Sequence, residues 1–194
     1  MAATPAAAAA ASPPPIVYGT AWKAERTGDL VGQALRAGYR GIDTACQPKH
    51  YNEPGVGAAV AGAIESGLVT RSQLWLQTKF TSLGGQDPAH VPYDHTAPIE
   101  EQVAQSLAAS LQNLGTDYID SLVLHSPLAT HELTMRAWRV MEGAVRAGSA
   151  RTLGVSNLKS LSQLQAICVE ATIQPSAVQQ RFHAATGFER EMVR

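Results

Sequence analysis

Asp43, Lys79 and His125 each close a short apolar run, and a buried strand would choose none of them for packing. The same holds for Trp22 just after Ile16–Thr20, for Ser156 with Asn157 at the end of Arg151–Ser156, and for Gln180 at the end of Ala177–Gln180. Taken singly, each has an ordinary explanation. Asp43 would cap a helix, Lys79 would sit in solvent, His125 would be a satisfied core histidine, and Ser156 with Asn157 would be a helix N-cap. Gln180 and Trp22 alone say almost nothing. A polar group at the same end of six successive apolar runs is harder to obtain by accident. If the runs are parallel strands, their ends open on one face and form the kind of pocket in which barrel enzymes place their chemistry. His90 and His95 with Asp87 and Asp94 fit no zinc spacing, so no metal site is assigned.

The elements that must position these groups follow from periodicity. The six runs, Ile16–Thr20, Arg40–Asp43, Leu74–Lys79, Ser121–His125, Arg151–Ser156 and Ala177–Gln180, are strand-length. Several lack in-out alternation, as expected of a parallel sheet covered on both faces. Between them, apolar residues recur at helical spacing: Leu30, Val31, Ala34 and Leu35; Val56, Val60, Ala63 and Ile64; Val103, Leu107, Leu111 and Leu114; Ala137, Met141, Ala144 and Val145; Leu161, Leu164 and Cys168. Gly38, Gly67, Gly115 and Gly148 stand just past four of these stripes, where a left-handed capping residue belongs. Repeated βα units leave a doubly wound open sheet or a (β/α) barrel. No G-x-G-x-x-G follows the first run, which favours the barrel.

With 194 residues, 45% of them hydrophobic and 16% charged, the chain can bury one sizeable core. A formal charge of −1 supplies no basic field for phosphate neutralisation, so nucleic acid is excluded as an expected partner. No apolar run reaches the roughly 20 residues of a membrane-spanning helix, so no membrane partner is expected. Two cysteines, Cys46 and Cys168, are too few for a disulfide framework, and a cytoplasmic setting is expected. Residues 1–15 are nearly all Ala, Pro, Ser and Thr and read as a disordered tail without the marks of a secretory or mitochondrial leader, leaving 16–194 as the folded unit.

The segment Gly38-Tyr39-Arg40-Gly41-Ile42-Asp43-Thr44-Ala45, followed by Tyr51-Asn52-Glu53 and Val56-Gly57, resembles the first signature of the aldo-keto reductase family. Leu114 to Asp120 leading into Leu124-His125-Ser126-Pro127, and Gly154-Val155-Ser156-Asn157, resemble two more, and Gln77-Thr78-Lys79 is similar to the family's lysine strand. All stand in the family's order. The resemblance implies an α/β fold of the (β/α)8 TIM-barrel type, incomplete here, with about six of eight βα units. It implies NADPH, with NADH as the alternative, reducing an aldehyde or ketone, such as a sugar or another small carbonyl compound, to an alcohol.

The resemblance further implies a catalytic tetrad of Asp43, Tyr51, Lys79 and His125. Tyr51 would give a proton to the carbonyl oxygen. A free phenol with pKa about 10 is a slow acid at neutral pH, so Lys79 would lower it, Asp43 would hold Lys79, and His125 would orient the carbonyl. Ser156, Asn157 and Gln180 would bind the nicotinamide carboxamide, and Trp22 would line the substrate pocket.

The sequence departs from the family pattern in three places. Tyr51 abuts Asn52, and strict register would put His50 in the tyrosine's place; Tyr51 is preferred because a histidine cannot be the phenol that Lys79 would activate. Residues Thr81–Pro98 form a long segment read as a solvated excursion, with Tyr93, Asp94 and His95 as the alternative substrate contacts. The chain also stops shortly after the sixth run, its last residues reading as a helix cut short. That predicts unpaired first and sixth strands, unfilled inner layers, marginal stability and self-association through the open edges. The alternative function is therefore a truncated, non-catalytic binding or regulatory relative.

Overall fold

The computed structural model describes residues 12–190, so most of the expected tail and the last four residues lie outside the described residues. The strands are β1 (Val17–Gly19), β2 (Gly41–Asp43), β3 (Trp75–Phe80), β4 (Ile119–Leu124), β5 (Ala150–Ser156) and β6 (Ala177–Gln179). Between them run α1 (Thr27–Arg36), α2 (Glu53–Glu65), α3 (Ile99–Leu114), α4 (His131–Arg146) and α5 (Leu161–Glu170). Every expected strand and helical stripe is present, with ends shifted by a residue or two. Gly115 ends α3 in the left-handed region (φ 63°), which a residue without Cβ enters freely.

All neighbouring strands pair in parallel, in the order β1-β2-β3-β4-β5-β6. A doubly wound sheet reverses its order partway, and this one does not. Neighbouring helices pack in the same order, α1 on α2, α2 on α3, α3 on α4 and α4 on α5, as successive crossovers of one hand require. The sheet curls: Gln77 Nε2 on β3 donates to Gln179 Oε1 on β6 at 3.2 Å, and Gln179 Nε2 reaches Asp43 Oδ2 on β2 at 3.5 Å. With strands about 4.8 Å apart, a flat sheet would hold β2 and β6 far beyond such contact. Among the described residues the architecture is a partly closed (β/α) barrel of five βα units and a sixth strand, with β1 and β6 at its edges.

Strand alternation divides the two faces. Outward residues pack under the helices in two clusters. Val31, Leu35, Ile42, Val56, Val60 and Leu76 join α1 and α2 to the early strands. Phe80, Leu122, Leu124, Trp138, Met141 and Leu153 join α3 to α5 to the later ones. The inner face carries Asp43, Gln77, Lys79, Ser121 and Ser156, with Val123 buried among them. The far end of the sheet is more open: Val178 on β6 is 38% exposed, and α5 buries only Ile167.

Two expectations need correction. Residues 81–98 are a solvated excursion only in part: Asp94 and His95 are exposed, but Tyr93 and Gln86 are buried, and the Tyr93 ring packs tilted against Phe80 with ring centroids 5.7 Å apart. The segment's Gly, Pro, Asp and His content suggests solvent, but one aromatic side chain anchors it to the core. The ordered chain also begins before Ile16, since Pro14 lies against the backbone of Gly41, where a Cβ would come within 2.6 Å of the proline ring.

Candidate active site

Asp43 and Lys79 stand on adjacent strands. Asp43 pairs with Gln77 in register, so Lys79, two residues further along β3, projects from the same inner face one step higher. Its Nζ lies 2.5 Å from Asp43 Oδ1 and donates to Thr44 O at 2.8 Å. Lys79 is buried. Burial holds the Lys79 ammonium below its usual pKa, and the Asp43 carboxylate opposes that shift. Neither residue takes its ordinary role: Asp43 caps no helix, because Asn52 caps α2 by accepting from Gly55 N at 2.9 Å, and Lys79 is no surface lysine.

Tyr51 and His125 complete the cluster. Lys79 Nζ is 5.2 Å from the centroid of the Tyr51 ring, and the rings of Tyr51 and His125 meet edge to face at 6.1 Å. His50 turns away and pairs with Trp22: the indole N–H donates to His50 Nδ1 at 3.0 Å. Of the two candidates for the tyrosine position, Tyr51 is therefore the one beside Lys79. The expected effect of Lys79 on the phenol is not met, however. Burial, and then the Asp43 carboxylate, push the Tyr51 phenol up to about 12. Burial, then the charge on Lys79, takes the His125 imidazole down to about 4, so it is neutral at neutral pH.

Ser156 and Asn157 sit at the end of β5. Ser156 Oγ donates to Gln179 O at 2.6 Å, and Asn157 Nδ2 donates to His125 O at 2.8 Å, tying this corner to the cluster. Asn157 has φ 52°, unusual for a residue with a side chain. These residues are not the N-cap of α5, which Ser160 provides. Gln180 stands apart, its amide paired with the backbone of Leu158 (N–H to Oε1 3.2 Å, Nε2 to O 2.8 Å). Trp22 is at the rim, 73% exposed. With Gln47, His50, Tyr51 and Pro92 it lines a cavity of about 570 Å³ beside the cluster.

Four residues escape the sequence reading. Gln77 Nε2 donates to Asp43 Oδ1 at 2.6 Å, and Ser121 Oγ donates to Gln77 Oε1 at 3.0 Å. Gln179 closes the same network from β6. Thr81 Oγ1 lies 2.6 Å from His125 Nδ1. Parity along β3 could have found two of them, since Gln77, Lys79 and Thr81 occupy alternate positions and so share one face. Among the described residues no cluster of three or more His, Cys, Asp or Glu could hold a metal ion. None of the helices among them is long and apolar enough to cross a membrane.

A parallel curled sheet that gathers a buried carboxylate–ammonium pair, a phenol and an imidazole above the ends of its strands defines a (β/α)-barrel protein with a polar pocket. The model of the aldo/keto reductase family matches residues 15–194, and the chain belongs to that family. It is 36% identical over 149 residues to the aldo-keto reductase AKR2E4 of Bombyx mori, covering 73% of this chain and 43% of the relative. It is 34% identical over 164 residues to methylglyoxal reductase DkgA of Yersinia pestis, covering 84% and 51%. The crystal structure of the Bombyx mori protein in complex with NADP superposes with a TM-score of 0.71 at 30% identity, over 86% of this chain and 53% of that one. The chain thus spans about half the length of the curated relatives it matches.

Proposed function

We propose that the chain reduces a small aldehyde or ketone to an alcohol with NADPH. The observation that carries this reading is the buried Lys79–Asp43 pair with Lys79 Nζ 5.2 Å from the centre of the Tyr51 ring, and the His125 ring edge to face against that same ring. The groups at the end of β5 suit the nicotinamide end of the cofactor: its carboxamide has one acceptor and one donor, and the Ser156 hydroxyl and Asn157 amide carry atoms of both kinds, whereas the Gln180 amide is paired at both ends with the Leu158 backbone. The relatives' names, among them a methylglyoxal reductase and a protein crystallised with NADP, support the same reading.

The cofactor supplies a hydride at the nicotinamide C4 when bound. The chain's residues handle the oxygen. His125, neutral, donates a hydrogen bond to the carbonyl oxygen and fixes the exposed face of the carbonyl carbon. Tyr51 keeps its proton through neutral pH, so that proton is in place as charge develops on oxygen. An alkoxide is more basic than a phenolate and takes it. Lys79 then faces the phenolate left behind, and Asp43 keeps Lys79 charged and fixed. Trp22 walls the cavity through which the carbonyl compound enters.

The test is a titration of the full chain with NADPH, followed by quenching of tryptophan fluorescence, and then an assay of NADPH consumption with small aldehydes such as methylglyoxal. Quenching and consumption are expected, with consumption lost in Tyr51→Phe. Neither quenching nor consumption with the wild-type chain would overturn the proposal and leave a non-catalytic role.

A further inference from the structure

We propose that Thr81 is a positioning residue that donates its hydroxyl proton to His125 Nδ1 and thereby fixes His125 as the tautomer carrying hydrogen on Nε2. The proposal deepens the reading of His125 as the carbonyl-orienting donor and rests on it for its functional meaning. The tautomer itself follows from geometry alone.

Thr81 is the first residue after β3, on the same inner face as Lys79. Its backbone is held by two buried groups: the Tyr93 hydroxyl and Gln86 Nε2 both donate to Thr81 O, at 2.8 and 3.1 Å. His125 is held as firmly. Its N–H donates to Phe80 O at 2.9 Å, and its carbonyl accepts from Asn157 Nδ2. The two side chains therefore meet through fixed backbones, with Oγ1 and Nδ1 2.6 Å apart. This bond could run in either direction, and burial decides between them. Thr81 is 4% exposed, and among the described residues its hydroxyl has no partner besides His125 Nδ1. Were Nδ1 to carry the proton and donate it, the hydroxyl's own hydrogen would be left buried and unpaired, which folded proteins rarely leave standing. Donation from Thr81 to Nδ1 leaves nothing unpaired. A neutral imidazole that accepts at Nδ1 carries its hydrogen on Nε2, the nitrogen free to donate to a substrate oxygen. The long segment after β3 thereby acts on the site from a distance, because its Tyr93 and Gln86 hold the hydroxyl that sets the state of a histidine on the next strand.

Long-range proton–nitrogen correlation NMR of the isotope-labelled full chain at neutral pH reads the tautomer directly. The expected spectrum shows His125 protonated at Nε2 and bare at Nδ1. Thr81→Val should turn this into a mixture of tautomers and lower kcat for aldehyde reduction about tenfold, the worth of one hydrogen bond, with the KM for NADPH unchanged. Thr81→Ser, which keeps the hydroxyl, should restore both. A wild-type spectrum with the proton on Nδ1 would overturn the proposal, as would a Thr81→Val chain whose tautomer and kcat match the wild type. A wild-type chain with the expected tautomer but no turnover would uphold the tautomer assignment and instead sink the reductase reading.

Discussion

Lys79 Nζ and Asp43 Oδ1 lie 2.5 Å apart at the upper ends of β2 and β3, with the lysine side chain 2% and the aspartate side chain 10% exposed. An ammonium so placed depends on its carboxylate. Asp43→Asn leaves that charge without a counter-charge, and we expect a loss of about 3–5 kcal/mol by urea denaturation. Replacing both residues, Asp43→Leu with Lys79→Met, should cost less than the sum of the single changes, since the double variant buries no charge. Additive losses would show that the pair is not coupled.

Tyr51 and His50 compete for one place in the sequence, and the structure sets Tyr51 beside Lys79 and His50 beside Trp22. Tyr51→Phe should lower kcat by about 10²–10⁴, the usual worth of a positioned acid, while circular dichroism stays unchanged. His50→Gln should leave kcat near the wild-type value and change KM for the carbonyl substrate. The reverse pattern would make His50 the donor.

His125 is held at about 4, below its ordinary 6.5, by burial and by the Lys79 charge. The unfolded chain therefore takes up a proton near pH 6.5 that the folded chain refuses until about pH 4. Stability falls as pH drops through this window, by roughly 3 kcal/mol from this group, and the group contributes no further loss below it. Urea midpoints measured between neutral pH and pH 4 should slope less steeply in His125→Asn than in the wild type.

Two glycines of α2 should respond oppositely to alanine. A Cβ at Gly57 would sit 2.1 Å from the backbone oxygen of Asn113 on α3, whereas one at Gly62 meets nothing within 4 Å. Gly57→Ala forces two helices apart and should lower stability by at least about 1–3 kcal/mol. Gly62→Ala should raise it by about 0.4–1 kcal/mol by restricting the unfolded chain. Thermal melts of the two variants give the comparison.

How much of this is legible in the sequence depends on range. Strands and helices are, because periodicity and capping glycines are local signals. The meeting of Asp43, Lys79 and His125 at one end of the sheet is, because each closes or follows an apolar run. The inner network is not: Gln179 meets Asp43 only because the sheet curls, and the curl belongs to strand order rather than to any one segment. The 81–98 segment misleads because its composition is polar and a single buried Tyr93 outweighs that. The Tyr51 phenol moves against expectation because charge attraction alone leaves out burial, which dominates wherever a ring is walled off from water.

The polar inner face has one more consequence. Asp43 and Lys79 cancel each other, and His125 is uncharged, so the cluster projects little field into the solvent. On the proposed function, a neutral carbonyl compound would arrive by diffusion alone, neither steered nor repelled, and its capture rate should be indifferent to ionic strength.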